Sequence, residues 1–484
     1  MSESQQSVFR RTLLILAVGV FSFGAILVAQ KNSFQPQPRA DKLSPITGST
    51  RGNAGQATKP EGVLPTVPAG FTISVYAELR APRLMVYAPN GDLFVSSPAT
   101  NTITVLRDKN NDGNFQERSV YAGAGAGRPP AAPAAAAAAT APRGGNPGGA
   151  PPAPTTTPAV NPEINGPRLG AAAPACAPPP PFVKSEPGTL AQPFGLAFNK
   201  GYLYVGNTGS IVRYKYTDGD LVARGEPEKI MDLPTGGHST RNIIFNRAGT
   251  KMYVAVGSGS NNNAGEDCRR AAVLEFNPDG SGYRVFASGI RNPVGLALQP
   301  GTDIPWVAIN ERDNLGDDLV PDYATSVKDG GFYGWPYSYI GKNPDPRYVG
   351  AFPELVNRAI VPDVLIPAHS AALGIAFYTA TQFPQHYRNG AFVALHGSWN
   401  RAVAAGYKVA FFPMVNGKPG PLEEFVTGLL ASDGSNGSQV LPWARPVGIT
   451  VARDGSLLIS DDAPNGNRIW KVSAAPAAGA RRGN

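Results

Sequence analysis

The chain has 484 residues, of which 42% are hydrophobic, and it carries a formal net charge of +8. This length is ample to bury a core. The positive charge is spread along the chain, and no basic stripe with interleaved aromatic residues occurs, which argues against nucleic-acid binding. The cysteines and histidines have no metal-type spacing.

The N-terminus carries two arginines, Arg10 and Arg11, directly before an apolar run at residues 12–29. A basic start followed by such a run is typical of a signal peptide or a membrane anchor, here residues 1–30. We therefore expect export to the periplasm, as a soluble protein or one anchored to the inner membrane. The polar residues 31–60 are expected to form a flexible linker.

One pattern recurs along the chain: an apolar strand, a turn containing Pro, Asn or Gly, and a second strand. Its six copies lie at residues 85–95, 196–205, 243–256, 296–309, 375–395 and 449–460. Asn-Gly and Asp-Gly turns between β-rich runs indicate hairpins, because these turns need positive φ angles that Gly tolerates. A third strand follows several copies, at residues 102–107, 211–216, 272–277 and 468–472. The repeat predicts an all-β, six-bladed β-propeller over residues 61–473, because a generic β-sandwich does not repeat one motif this often.

Two segments of low complexity interrupt or follow the repeats. Residues 122–187 are rich in Ala, Pro and Gly and cannot bury enough apolar surface to offset their ordering entropy. We expect them to form a disordered insertion between the first two blades, and residues 474–484 to form a flexible tail. Cys176 lies in the insertion and Cys268 beside a blade, and the sequence leaves open a disulfide between them or two free thiols.

An acidic loop with Asp108, Asn110 and Asp112 places oxygen-bearing side chains at alternate positions, as the start of an EF-hand does. Ser119 stands where the closing Glu would be. A plain turn stabilised by Asx side chains is therefore favoured over a partial calcium site.

Polar loops between the strands are where a propeller presents its chemistry. His238, His369 and His396 lie in such loops beside Gly, Ser or Arg, whereas His386 is expected to be solvated. Each of the three could be a functional base or a structural histidine. Guanidinium groups bind carboxylates bidentately, and the candidate arginines are Arg241, Arg291, Arg401 and Arg445.

A second acidic segment, residues 310–318, directly follows a predicted strand. Its carboxylates belong to Glu311, Asp313, Asp317 and Asp318. Carboxylate and backbone carbonyl oxygens are the ligands that a hard cation such as Ca²⁺ prefers. The segment is therefore a candidate metal loop.

Seven ordered motifs carry a resemblance to a known family. They read GHSTRN, FASGIRNPVGLAL, NERDNLGDDL, GGFYGWPY, HSAALGIAFY, HGSWNR and RPVGITVARDGSLLISDD. Together they resemble the glucose/sorbosone dehydrogenase family over residues 64–472, apart from the insertion. The resemblance implies a six-bladed propeller that oxidises sugars with pyrroloquinoline quinone (PQQ) and Ca²⁺ in the periplasm.

The resemblance also implies roles for individual residues. His238 matches the general base, and Arg291 and Asn292 match residues beside the quinone carbonyls, where positive charge would stabilise a developing oxyanion. Backbone carbonyls of residues 311–313, including that of Arg312, match those that hold the calcium ion. Arg445 matches an arginine that clamps the cofactor carboxylates.

The sequence departs from the family pattern at three positions. Ser258 stands where an Asp orients the base, Asn400 replaces a cofactor-binding Lys, and Trp443 replaces a second carboxylate-binding Arg. These changes place the chain nearer the sorbosone dehydrogenase branch, and Trp399 and Trp443 become candidates to stack on a planar ligand or a sugar. The complete predicted cofactor-binding set is Arg241, Asn292, Asn400, Arg401, Trp443 and Arg445.

The sequence thus predicts a periplasmic sugar or aldose dehydrogenase that transfers hydride from a carbohydrate hydroxyl or an aldehyde hydrate to PQQ. Its partners would be a small carbohydrate or aldehyde, an electron acceptor of unknown identity and a membrane tether at the N-terminus. The alternatives are a non-catalytic propeller that binds carbohydrate or protein, and a calcium-dependent lactonase. The lactonase would need several side-chain carboxylates on the propeller axis, which the blade starts do not supply.

Overall fold

A computed structural model describes residues 55–127, 187–464 and 466–475. The described chain is almost entirely β-structure, with one short α-helix at Pro353–Asn357. Short 3₁₀ turns occur at Pro98–Thr100, Gln385–Tyr387 and Ser435–Gly437. The predicted signal or anchor segment and most of the predicted linker lie outside the described residues. Within the described ranges, no helix is both long and apolar enough to cross a membrane.

The strands form six sheets, which we number as blades in chain order. Blade 1 consists of Met85–Tyr87, Leu93–Ser97, Thr102–Arg107 and Glu117–Gly123. Blade 2 consists of Pro193–Asn199, Tyr202–Asn207, Ser210–Lys215 and Glu228–Asp232. Blade 3 consists of Arg241–Phe245, Met252–Val256, Ala272–Phe276 and Arg284–Ser288, with Gly331–Phe332 added in parallel at its edge.

The remaining blades follow the same antiparallel order. Blade 4 consists of Asn292–Leu298, Pro305–Asn310, Asp322–Ser326 and Val364–Ile366. Blade 5 consists of Ala372–Phe377, Ala391–Leu395, Lys408–Phe412 and Glu423–Val426. Blade 6 consists of Pro446–Val451, Leu457–Asp461, Arg468–Ala474 and Phe71–Glu78. Three small hairpins project from the blades: Ser338–Tyr339 with Asn343–Pro344, Met414–Val415 with Lys418–Pro419, and Leu430–Asp433 with Val440–Pro442.

The ring is closed by pairing the two ends of the described chain. The early strand Phe71–Glu78 pairs antiparallel with the last strand Arg468–Ala474 and so completes blade 6. The first strand of each blade also contacts the first strands of both neighbouring blades around the whole ring. The six-bladed propeller predicted from the repeats is therefore confirmed.

The core lies between the blades. Each neighbouring pair of blades shares one apolar cluster; between blades 1 and 2, for example, Phe94, Tyr121 and Leu203 are fully buried. Equivalent clusters fill the five other junctions. Burial of such side chains contributes about 1.5–3 kcal/mol each, which makes the blade junctions the main source of stability.

The innermost strands approach each other closely, and glycine permits this. A Cβ added at Gly448 would lie 2.1 Å from the carbonyl oxygen of Arg83 in the neighbouring blade, and one at Gly295 would lie 2.3 Å from that of Leu373. Real Cβ atoms do not come this close to backbone, so these positions require glycine.

All six predicted hairpins form the first two strands of a blade. The predicted insertion starts too early, because residues 122 and 123 belong to the strand Glu117–Gly123, which continues into a described turn up to residue 127. Residues 128–186 lie outside the described ranges, as does Cys176, whereas Cys268 is disulfide-bonded. The predicted tail likewise starts within the last strand, Arg468–Ala474.

The loop after Thr102–Arg107 is a turn stabilised by its own side chains. The Asp108 carboxylate accepts hydrogen bonds from the backbone N–H groups of Asp112 and Gly113, at 3.3 and 2.8 Å. Asp112 in turn accepts from the N–H of Asn114 at 2.8 Å. The interpretation as an Asx-stabilised turn is therefore favoured by the structure over a partial calcium site.

Candidate functional site

The topology brings the predicted site residues to one end of the propeller. In each blade the first strand begins, and the second strand ends, at the same end, because the two are antiparallel. His238 lies in the loop just before the first strand of blade 3, Arg291 directly precedes the first strand of blade 4, and Asp313 follows the second strand of blade 4. We call this end, formed by the loops before the first strands and after the second strands, the loop face.

His238 is held by the loop that follows the second strand of blade 3. Its backbone N–H and its ring atom Nδ1 lie 3.0 and 2.9 Å from the carbonyl oxygen of Ser258. A carbonyl can only accept, so Nδ1 carries the proton and the other ring nitrogen, Nε2, carries the lone pair. The Ser258 hydroxyl lies 3.1 Å from Nδ1 and donates to the carbonyl of Ser260 at 2.6 Å.

The environment of His238 keeps its imidazole neutral. The residue is 7% exposed, and burial lowers its pKa from 6.5 to about 3, with a further contribution from the positive charge of Arg291. Nε2 makes no hydrogen bond to any described residue. The arrangement is therefore that of a neutral base with a fixed tautomer.

Arg241 fixes the loop that carries His238. Its Nη1 donates to the carbonyls of His238 and Thr240 at 2.7 and 2.8 Å, and its Nη2 donates to that of Pro234 at 2.7 Å. The residue is 0% exposed, and burial lowers its pKa to about 9. Both Nη groups are engaged inside the loop, and Nε is buried without a partner in the described structure, so the predicted contact of Arg241 with a cofactor is corrected to a positioning role.

Arg291 lies buried behind the loop that follows the second strand of blade 4. Its Nη1 donates to the carbonyl of Glu311 at 2.6 Å, and its Nη2 lies 3.4 Å from the Asp313 carboxylate. Its Nε donates to the carbonyl of Asn261 at 3.0 Å. The backbone carbonyl of Arg291 also accepts from the N–H of Ser258 at 2.7 Å, so it is coupled directly to the segment that orients His238.

Asn292 lies beside His238. A Cβ built on Gly257 would be 2.4 Å from Asn292 Oδ1 and 2.6 Å from the Cβ of His238, so both side chains border the same glycine. Asn292 Oδ1 is buried and has no hydrogen-bond partner in the described structure. A buried amide left unpaired costs free energy, so this atom is suited to a ligand or an ordered water molecule.

Asn261 joins the two loops. Its Oδ1 accepts from Arg291 Nη2 at 3.0 Å and from the backbone N–H of Asp313 at 2.8 Å. Its Nδ2 donates to the carbonyl of Asp313 at 3.2 Å, and its own carbonyl accepts from Trp335 Nε1 at 3.0 Å. The sequence interpretation did not identify Asn261; the only signal was its place in a polar run that follows a strand.

Asp313 is the centre of a charged group on the loop face. Its Oδ1 accepts from Asn400 Nδ2 at 3.0 Å and lies 3.4 Å from His369 Nδ1. Burial alone would raise the pKa of Asp313, but the His369 hydrogen bond and the charge of Arg291 lower it overall. Asn400 Oδ1 remains buried and without a partner among the described residues.

His369 is an ion-pair partner of Asp313. Its Nε2 donates to the carbonyl of Gly316 at 2.8 Å, while Nδ1 faces the carboxylate. Burial would lower its pKa, but the hydrogen bond to Asp313 and that carboxylate's charge raise it above the ordinary value. The sequence singled out His369 but did not predict this pair.

Two carboxyl groups behind the Arg291 loop are buried. Burial raises the pKa of Glu311 to about 8 and that of Asp322 to about 7. Asp322 accepts from the backbone N–H groups of Glu311 and Ala371, at 2.8 and 2.6 Å, and so ties blade 4 to blade 5. Arg312 points elsewhere and forms a buried ion pair with Asp345 at 3.0 Å.

The predicted metal-binding side chains do not converge. Asp317 Oδ2 accepts from the backbone N–H of Ala402, and Asp318 forms a 2.8 Å ion pair with Arg401. Among the described residues, no group of three or more His, Cys, Asp or Glu side chains is placed to hold a metal ion. Of the predicted metal site, only coordination by the backbone carbonyls of residues 311–313 remains as a prediction, and those of Glu311 and Asp313 already accept hydrogen bonds from Arg291 and Asn261.

Arg401 and Arg445 also hold loops. Arg401 Nη1 donates to the carbonyl of Asp317 at 2.5 Å. Arg445 Nε and Nη2 donate to the carbonyls of His396 and Gly397, each at 3.1 Å. Arg445 Nη1 makes no hydrogen bond to a described residue, so Arg445 keeps one donor group open for a ligand.

A third histidine, His396, belongs to a chain of polar side chains that crosses three blades. His396 Nε2 lies 2.7 Å from Asp462 Oδ1, and Arg83 Nη1 lies 2.5 Å from Asp462 Oδ2. Burial and the charge of Arg445 lower the pKa of His396 to about 4. Because Arg83, Asp462 and His396 belong to blades 1, 6 and 5, this chain locks the ring closure on the loop face.

The two tryptophans proposed as stacking groups lie in different environments. Trp443 is 1% exposed and packs edge-to-face with Trp470 in the core between blades 5 and 6, so its predicted contact with a cofactor or sugar is wrong. Trp399 is 45% exposed on the loop face. A large apolar indole is usually buried, but the local sequence of Trp443 did not show whether this residue lies in the core or at the site.

The structure is thus a six-bladed propeller with a buried histidine, arginine and asparagine on one loop face. Comparison with known proteins assigns a propeller of this kind to a family. The TrAA12-like family model matches residues 182–327 and 356–474. This match covers more than half of the chain, and the chain belongs to this family.

Two individual relatives are similar to the chain over more than half of its length. An uncharacterised protein of Borreliella burgdorferi is 30% identical over 302 residues, which is 59% of this chain and 76% of that protein. A pyrroloquinoline quinone-dependent pyranose dehydrogenase of Coprinopsis cinerea is 25% identical over 344 residues, which is 57% of this chain and 45% of that enzyme. The chain thus spans less than half the length of this named relative.

A solved structure shows the same fold. The holo form of the PQQ domain of pyranose dehydrogenase from Coprinopsis cinerea aligns with a TM-score of 0.60 and 17% sequence identity. The alignment covers 87% of this chain and 98% of that one. The relatives of the chain thus include a PQQ-dependent sugar dehydrogenase, and the resemblance found in the sequence is confirmed at that level.

Proposed function

We propose that this protein is a PQQ-dependent sugar dehydrogenase that oxidises a carbohydrate hydroxyl or an aldehyde hydrate at the loop face. One observation carries the proposal: a neutral His238, its proton fixed on Nδ1, lies beside Asn292 and in the field of Arg291. Hydride abstraction from an alcohol needs a base for the hydroxyl proton and a positive charge for the developing anion. The named relative supports the same chemistry.

The residues present fit a polar, planar cofactor at the end where His238 lies. Asn292 Oδ1, Ser370 Oγ and Asn400 Oδ1 are buried without partners in the described structure, and they could hydrogen-bond to such a group. Arg291 and Arg445 would supply the positive charge. Fewer cations would face the cofactor carboxylates than the resemblance implies. Trp443 is in the core, and Arg401 pairs with Asp318.

When bound, PQQ supplies the quinone that accepts hydride from the substrate. His238 Nε2 accepts the hydroxyl proton, and the Ser258 carbonyl, which already accepts from Nδ1–H, stabilises the imidazolium that forms. The Arg291 guanidinium is fixed by five hydrogen bonds to residues of two loops, so its charge is in place before substrate arrives. Electrostatic stabilisation by such preorganised charge accounts for the larger part of the rate enhancement of many enzymes.

Calcium, the sorbosone-like substrate and the periplasmic location belong to the proposal as well. The ion would use backbone carbonyls of residues 311–313, and the support for it is the resemblance of this loop. Export rests on the apolar run at residues 12–29.

Reconstitution of the purified protein with PQQ and Ca²⁺, followed by dye reduction over a panel of sugars and aldehydes, tests the proposal. We expect turnover that depends on PQQ, and a shift in quinone absorbance when PQQ binds. Neither turnover nor an absorbance shift in any condition would contradict it. Omitting Ca²⁺ in the presence of a chelator tests the metal separately.

A further inference from the structure

Trp399 differs from every other tryptophan of the chain. It is 45% exposed, whereas the other four are at most 6% exposed: Trp306, Trp335, Trp443 and Trp470. Its Nε1–H makes no hydrogen bond to a described residue, whereas those of Trp306, Trp335 and Trp470 do. A single exposed indole on the face that carries the site needs an explanation beyond packing.

The loop that carries Trp399 is held in place. Ser398 donates its N–H to the carbonyl of Ala405 at 2.9 Å and accepts from the hydroxyl of Tyr407 at 2.5 Å. The N–H of Ala404 donates to the carbonyl of Asp433 at 2.8 Å. The indole is therefore exposed on a fixed backbone, and binding to it needs little ordering of the loop.

Trp399 also borders the charged group of the site. The next residue, Asn400, is 4% exposed and donates to Asp313, which contacts Arg291. The loop thus turns its amide inward to the site and its indole outward to the solvent at the rim. Val403, on the same loop, is 47% exposed and adds to the apolar surface.

We propose that Trp399 is a stacking platform for a pyranose ring of the substrate, with its Nε1–H available to a sugar hydroxyl. The inference rests on the proposed function and adds a residue that determines substrate affinity. A flat apolar face with one polar edge matches a pyranose, whose ring faces carry C–H groups and whose rim carries hydroxyls.

Two other occupants fit less well. The buried polar groups that suit a cofactor, on Asn292 and Asn400, are 7% and 4% exposed and lie deeper than the indole. A protein partner would require an interface of at least about 1,000 Å², far more than two exposed apolar side chains provide.

The test compares Trp399→Ala, Trp399→Phe and the control Val415→Ala, an exposed apolar position on a projecting hairpin of blade 5 that is 61% exposed. In the reconstituted protein we expect Trp399→Ala to raise the KM for sugar at least about 10-fold with kcat within about 3-fold. The KM of Trp399→Phe should lie between those of the wild type and Trp399→Ala, and the KM of Val415→Ala should match that of the wild type.

A second measurement does not depend on turnover. The tryptophan fluorescence of the cofactor-free protein is titrated with D-glucose and with maltotriose. We expect saturable quenching in the wild type and in Val415→Ala, and none in Trp399→Phe, where only the buried indoles remain. Quenching without turnover would support the platform while contradicting the dehydrogenase.

Three results would overturn the platform: an unchanged KM for sugar in Trp399→Ala, a change confined to the affinity for PQQ, or a change confined to the KM for the electron acceptor. Absence of quenching by both sugars in the wild type would overturn it as well.

Discussion

His238 Nδ1 and the backbone N–H of the same residue share one acceptor, the carbonyl oxygen of Ser258, at 2.9 and 3.0 Å. The base is thereby oriented by a backbone carbonyl, which is neutral and cannot be removed by substitution. The resemblance implies an Asp at position 258, and the serine keeps the orientation while omitting the negative charge. This explains how burial can hold the pKa of His238 near 3.

Changing Ser258 should therefore alter the pKa of His238 more than its position. In Ser258→Asp the added carboxylate near Nδ1 should raise the pKa of His238 by at least one unit, since an opposite charge within about 4–6 Å favours the imidazolium. Histidine NMR titration measures this. The size-matched Ser258→Asn variant should show no comparable rise; equal shifts in both variants would contradict the electrostatic explanation.

Removing the base should abolish turnover and leave the fold intact. His238→Gln is expected to lower kcat by about 10²–10⁴, the usual contribution of a general base, with PQQ affinity and thermal unfolding close to those of the wild type. His386→Gln is the matched control, because the side chain of His386 is 50% exposed and its Nε2 lies 2.8 Å from the Glu423 carboxylate. A kcat for His238→Gln within a factor of three of the control would remove His238 from the reaction.

Stability should depend on pH through His238. Its folded-state pKa is lowered to about 3 from 6.5, so below pH 6.5 the unfolded chain binds a proton that the folded protein does not. The free energy of unfolding should fall as pH decreases through this window, by about 1.4 kcal/mol per pH unit for this group. Glu311 and Asp322 act in the opposite direction, because burial raises the pKa of both.

The contribution of His238 to the pH dependence of stability is therefore measured as the difference between the wild type and a variant without the imidazole. Between pH 6 and pH 4, urea unfolding of the wild type should lose stability relative to His238→Gln. Parallel pH profiles for the two proteins would show that His238 is not held neutral in the fold.

Ring closure should depend on the early strand Phe71–Glu78. The ring of Phe71 makes edge-to-face contacts with those of Phe383, Phe425 and Tyr387, at centroid distances of 4.8, 5.1 and 5.2 Å. Phe71→Ala should lower the free energy of unfolding by about 3 kcal/mol. The exposed neighbour provides the control: Thr72→Ala should change it by less than about 0.5 kcal/mol. Equal losses would mean that the strand acts through its backbone alone.

Much of the fold could be predicted because the repeats are local. Each hairpin is specified by two short strands and a turn, so the sequence alone located all six. The closing strand Phe71–Glu78 was not predicted, because its partner Arg468–Ala474 lies almost 400 residues away and no turn joins them. The start of the insertion was misplaced because the alanine and glycine that end blade 1 have the composition of the segment that follows.

The sequence predicted which residue types belong to the site better than it predicted the hydrogen-bond partners of those residues. His238 and Arg291 could be selected because polar groups before a first strand must lie at a blade end, and Asn292 was added by the family resemblance alone. The sequence does not show which carbonyls Arg241 and Arg401 reach, because a guanidinium that braces a loop and one that binds a ligand have the same local sequence. The Asp313–His369 pair joins blades 4 and 5, and nothing local to either residue indicates the other.

The most direct test of the account follows the absorbance of bound PQQ after anaerobic mixing with sugar, in the absence of an electron acceptor. We predict that the wild type reduces the cofactor in a single turnover, and that His238→Gln binds PQQ equally well but reduces it at least about 100-fold more slowly. Bound PQQ that is reduced at the same rate in both proteins, or that no sugar or aldehyde reduces in the wild type, would contradict the assignment of this loop face as a sugar-oxidising site.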